Sequence, residues 1–161
     1  MKELSKKELS QLDPLQHVLR LMVHSAKSIK DIRHNLLEFE SEDNVFVHEQ
    51  YNHFKERISE LYAVLASIFE SNENVKGHST LILQLLEKVK NEDRLFLEQT
   101  VAAINKMQIK DLSVSNMIIA NKAFVQLNRQ LILALKELVI NNNEFEKLIA
   151  DKLEFIELED R

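Results

Sequence analysis

Histidines and carboxylates fall into a repeated pattern early in the chain. His17, His24, Asp31 and Glu38 follow one another at steps of seven, and Arg20, Lys27 and His34 form a parallel line beside them. On a helix, side chains three or four residues apart are neighbours and can share an ion, as carboxylate-and-histidine sites in helical bundles do. Residues seven apart stand about 10 Å from each other and cannot. That leaves Asp31 with His34, and His34 with Glu38, as pairs able to hold a divalent metal. Glu49, His53, Glu56 and Glu60 repeat the arrangement further along. Charge on an outward helix face is the ordinary case, so the plain reading is two solvated faces carrying i,i+4 pairs.

Glu92 and Asp93, and later Asn121 and Asn128, interrupt stripes that are otherwise apolar. Polar groups inside a bundle must be hydrogen-bonded. The expectation is a polar layer that sets helix register rather than a ligand site, with Arg129 as a partner for Asp93. Hydroxyl and imidazole neighbours occur at His24 with Ser28 and at His78 with Ser79. A hydrolase also needs an orienting acid and an oxyanion hole, usually on a sharp turn. An uninterrupted helix exposes no backbone N–H groups for that purpose, so the chain reads as no enzyme.

The elements that must carry these residues are helices. The 161 residues include one Gly, one Pro and no Cys or Trp. Without cysteine there is no disulfide framework, zinc finger or thiol nucleophile. A single glycine excludes phosphate-binding loops and dinucleotide fingerprints, and a turn-rich β fold would draw on more Gly and Pro. The net charge of −5 argues against a nucleic-acid surface. The N-terminus lacks the apolar stretch of a signal peptide, and the longest apolar run, Leu131 to Leu135, is far short of the roughly 20 residues a membrane span needs.

Apolar spacing is helical nearly throughout. Residues 1–12 read as a linker or disordered N-terminus, and residues 13–158 as one bundle domain. Asp13-Pro14 reads as a helix start, with the apolar stripe Leu15, Val18, Met22, Ile29, Ile32, Leu36 and Phe39, broken by Ser25. The second stripe is Val47, Tyr51, Phe54, Ile58, Leu61, Leu65 and Ile68. Gly77 falls in the connection that follows. The third helix, to Ile109, aligns Ile82, Leu85, Leu86, Val89, Phe96, Val101, Ile104 and Met107. The fourth aligns Met117, Phe124, Leu131, Leu135 and Leu138. Asn143 with Glu146 forms a capping box for a fifth, shorter helix. The fold class is all-α: an antiparallel bundle of four long helices plus a shorter C-terminal one.

Two stretches carry a family resemblance. Ser25-Ala26-Lys27-Ser28-Ile29-Lys30-Asp31-Ile32-Arg33-His34-Asn35-Leu36 is one, and Asp111-Leu112-Ser113-Val114-Ser115-Asn116-Met117-Ile118-Ile119-Ala120-Asn121-Lys122-Ala123-Phe124 is the other. Both resemble the cytosolic PhoU-like domain that follows the membrane part of bacterial sodium/phosphate cotransporters, and the likeness covers residues 15–140. It implies a cytoplasmic regulator of phosphate uptake at the inner face of the membrane, free-standing or part of a longer transporter chain. Its partner would be the membrane region of a phosphate transporter or another helical bundle, with no nucleic acid involved. PhoU proteins bind metal clusters through Glu-x-x-x-Asp motifs. Asp31 matches the motif's Asp, but Lys27 stands where the Glu would be. The resemblance therefore implies no resident cofactor and no multinuclear cluster, only weak binding of a single divalent metal at Asp31, His34 and Glu38. The alternative is a structural interaction bundle, self-associating into a homo-oligomer and unrelated to phosphate.

Overall fold

The computed structural model describes residues 6–70, 75–109 and 111–140, and within them four helices account for the fold: α1 (Lys6–Ser41), α2 (Val45–Glu70), α3 (Val75–Asn105) and α4 (Asp111–Val139). No strand occurs among the described residues. The expected fifth helix, from Asn143 to about Leu158, lies outside them.

Three expected boundaries move. The helix start expected at Asp13 shifts back to Lys6, so Pro14 lies inside α1 and residues 6–12 belong to the helix rather than to a linker. Lys, Glu, Leu and Gln are strong helix formers and carry the helix back past Pro14. Pro14 removes one amide donor there but is exposed. Gly77, expected in a connection, sits in the first turn of α3. The first four amides of a helix have no intrahelical acceptor, so glycine costs least at such an end.

The third shift is at the end of α3, which stops at Asn105 rather than at Ile109. Met107 adopts a φ of 54°. Its N–H donates to the Ile104 carbonyl at 2.9 Å, and the Gln108 N–H to that of Ala103 at 2.9 Å. This is the Schellman closure, with methionine at the left-handed position that glycine usually takes.

The connections fix the topology. Asn44 caps α2 through its side-chain oxygen, which accepts the Val47 N–H at 3.2 Å. The same side chain donates to the Gln108 carbonyl at 2.6 Å, tying the α1–α2 connection to the α3–α4 connection. The end of α1 therefore meets the start of α4, and neighbouring helices run antiparallel. α4 is the central packing partner, with α1 lying chiefly along it.

The core has two apolar clusters. One joins Ile32 and Phe39 of α1 to Val47, Phe54, Phe96, Met117, Phe124 and Leu127. The other joins Leu61, Leu65 and Ile68 to Ile82, Leu86, Val89, Ile132 and Leu135, and among the described residues includes none from α1. In the first cluster the Phe54 ring stacks on Phe124 at 4.6 Å and tilts against Phe96 at 5.8 Å.

All seven residues of the α2 stripe face inward, buried or half-buried. The other stripes depart from expectation at their ends. Leu15 and Met22 of α1 are about half exposed, while Val18, Ser25, Ile32 and Phe39 form the buried line. On α3 the inward line continues from Phe96 through Thr100 and Ala103, leaving Val101, Ile104 and Met107 exposed. Steps of four and three from Phe96 give that line, so the period and not the side-chain size governs which face turns in. Leu138 of α4 is likewise exposed.

Candidate functional site

The densest polar assembly lies where the two apolar clusters meet. Asn121 and Asn128 of α4 are 2% and 4% exposed, on the inward face as their spacing predicts. Each is held by helical periodicity about one turn from Phe124, whose burial fixes the rotation of the helix. Asn121 donates through Nδ2 to Asp93 Oδ1. Its own side-chain oxygen accepts from Arg57 Nη1 at 3.5 Å.

Arg57 is the hub, and the sequence reading did not single it out. Its Nη2 donates to the Glu92 carbonyl at 3.2 Å, and its Nε lies 3.7 Å from Glu92 Oε2. The guanidinium also sits over the Phe54 ring, 5.8 Å from its centre. Glu92 is joined from the other side by Lys88 at 3.8 Å, and Lys88 in turn pairs with Glu60. The only sequence signal for this role was position: Arg57 follows Phe54 by three residues and so lies beside the inward stripe of α2.

Burial sets the electrostatics of the layer. Desolvation pushes the Glu92 carboxyl above its ordinary value; Arg57 and Lys88 pull it back, and Glu60 pushes it further up. Desolvation likewise lowers the Arg57 guanidinium, opposed by Glu92 and Asp93. Glu60 is held below the usual carboxylate value by the hydrogen bond from Lys88.

Asn128 lines a cavity of about 20 Å³ together with Arg57, Glu60, Leu61, Lys88 and Glu92. That is room for one water molecule and not for an organic substrate. The Asn128 side-chain oxygen is buried there without a protein partner. On the other side of the layer, Asp93 and Arg129 line one open cleft of about 490 Å³ with Lys122, Gln126 and Gln130. A second polar contact crosses the bundle nearer its other end, where Gln50, 2% exposed, donates to Gln99 at 2.9 Å. The sequence reading passed over it, because Gln50 lies beside the apolar stripe of α2 rather than on it.

The three residues expected to hold a metal are only partly brought together. His34 Nε2 lies 3.1 Å from Glu38 Oε1, with the two side chains 84% and 44% exposed. Glu38 Oε2 accepts from Asn116 of α4 at 3.2 Å. Asp31 is exposed and takes no part, because it stands two helical turns from Glu38. Among the described residues no three His, Cys, Asp or Glu side chains converge as metal ligands. Glu49, His53, Glu56 and Glu60 are all exposed on the outward face of α2. The Ser28 hydroxyl donates to the His24 carbonyl at 3.1 Å, so it is committed to the backbone rather than to the imidazole.

Among the described residues no helix is long and apolar enough to cross a membrane. Compared with family models, curated proteins and solved structures, the chain matches none.

Proposed function

We propose that the chain is a regulatory or interaction domain of the PhoU-like kind, serving sodium-dependent phosphate transport by docking on a transporter's membrane region or on another bundle. The observation that carries this reading is the outward stripe of α3, where Leu97, Val101 and Ile104 are 44, 56 and 42% exposed. Their spacing of i, i+4 and i+7 is that of a helix presenting an apolar seam to a second helix. Met107, 93% exposed, and Leu112, 75% exposed, extend the apolar surface at the same end of the bundle. The polar layer fits the same reading. Its charged groups engage one another between the apolar clusters, an arrangement suited to fixing register rather than to handling a reactant. The phosphate part rests on the likeness of residues 25–36 and 111–124 to the PhoU-like domain.

Co-expression with the membrane region of a bacterial sodium/phosphate cotransporter tests the proposal. The chain is expected to co-purify with that region and to change sodium-driven phosphate uptake. The double variant Val101→Glu, Ile104→Glu is expected to lose both effects while keeping its helical circular dichroism. No effect of the unmodified chain on uptake or co-purification would remove the phosphate reading. Concentration-dependent self-association, abolished by the same double variant, would then identify a structural homo-oligomer.

A further inference from the structure

Met107 is the most exposed large apolar side chain among the described residues, at 93%. It closes α3 with a φ of 54°, where a residue bearing a Cβ is strained and glycine is not. Burial does not offset that strain, because the side chain projects almost wholly into solvent. A strained backbone that holds out an exposed thioether directs attention to the chemistry of the thioether itself.

Two further features bear on that chemistry. The chain has no cysteine, so a peroxide finds no thiol here to attack first. Its four methionines also differ in access. Met117 is 0% exposed, packed in the cluster with Phe54 and Phe124; Met22 is 49% exposed; Met1 lies outside the described residues. Position then gives the reaction a consequence. The Met107 N–H donates to the Ile104 carbonyl at 2.9 Å, which sets residue 107 against the end of the exposed row Leu97, Val101 and Ile104.

We infer that Met107 is a reversible oxidation site that weakens this face's hold on its partner. The inference rests on the reading of the α3 row as a docking surface. The oxidant is a peroxide. The thioether sulfur attacks one peroxide oxygen, the O–O bond breaks and an S–O bond forms. Sulfur gives up two electrons, and the other oxygen leaves as water with the proton of the oxygen transferred. The apolar tip becomes a polar sulfoxide, which a covering partner must desolvate. A dithiol, acting through methionine sulfoxide reductases, removes that oxygen as water, becomes a disulfide and restores the thioether.

Limited treatment of the full chain with hydrogen peroxide, to one added oxygen per chain, tests the inference. Peptide mass spectrometry should find Met107 oxidised before Met22, and at least about tenfold faster than Met117. Each protein is then compared with itself, treated against untreated. Oxidation should cut co-purification of the parent chain with the cotransporter membrane region by about tenfold, the effect of leaving one polar group unpaired on burial. It should also shorten retention on a hydrophobic-interaction column, and both losses should reverse with the reductases and a dithiol. In Met107→Leu the treated and untreated samples should behave alike. Oxidation of Met22 ahead of Met107 would overturn the inference, as would equal losses in the parent and in Met107→Leu. An untreated chain that does not co-purify removes the docking reading alone. Column retention then decides the redox effect, and retention unchanged by oxidation overturns it.

Discussion

Arg57 brings a permanent charge to the junction of the two apolar clusters, and its partners decide whether the layer holds. Removing a half-buried donor leaves its acceptors unmet, at a cost of about 1–3 kcal/mol. Arg57→Met should destabilise the bundle by about that much in urea titrations, because the Glu92 carbonyl and the Asn121 oxygen lose their donor while Lys88 alone remains beside the Glu92 carboxylate. Adding Glu92→Gln to Arg57→Met should recover part of the loss, and strict additivity of the two changes would show that they do not interact. Glu92 also makes a pH prediction. Its carboxyl titrates above its ordinary value in the folded chain, chiefly through desolvation. The folded state then binds more protons than the unfolded state between the two values, so this group's contribution to stability falls as pH rises through that window. Glu92→Gln cannot titrate. Its stability relative to the parent should therefore rise between about pH 4 and about pH 6. A relative fall, measured by denaturation at both values, would reverse the assignment.

At the scale of the element, α2 is the helix whose whole stripe turns inward. Leu61 is 5% exposed and sits in the cluster with Leu65, Val89 and Ile132. Leu61→Ala should destabilise by about 2–5 kcal/mol; a loss of less than about 0.5 kcal/mol would place it on the surface. The end of α3 offers the opposite test. Met107 holds a left-handed conformation, with φ at 54°, and a side chain 93% exposed. That conformation costs a side chain with a Cβ about 1 kcal/mol, and glycine avoids the cost at the price of a looser unfolded chain. Met107→Gly should raise the melting temperature slightly, by an amount worth about 0.5 kcal/mol. A decrease would show that the exposed methionine makes contacts that offset its strain. The Schellman closure was not readable beforehand because no glycine or asparagine marks the left-handed position.

At the scale of the whole molecule, a polar layer divides the core into two apolar halves, and among the described residues α1 contributes to one of them. The Asn128 side-chain oxygen is buried at that division without a protein partner. Asn128→Leu should raise stability by about 1 kcal/mol, since an unmet buried acceptor is replaced by an apolar group of similar size. If the layer specifies register, the more stable variant should also change its association state or broaden its amide spectrum. Unchanged association and spectra would reduce Asn128 to a local defect. The four long helices, the α2 seam and the burial of Asn121 and Asn128 were legible in the residues alone, because amphipathic period is a local property of the chain. Rotation and partnership were not local. On α3 the larger Val101 and Ile104 yielded the inward face to Thr100 and Ala103. Phe96 had fixed the rotation of the helix by packing on Phe54, which is 42 residues away in sequence. Arg57 meets Asn121 across 64 residues for the same reason. Side chains of the right type abound on every helix face, and only the packed arrangement of all four helices selects which of them meet.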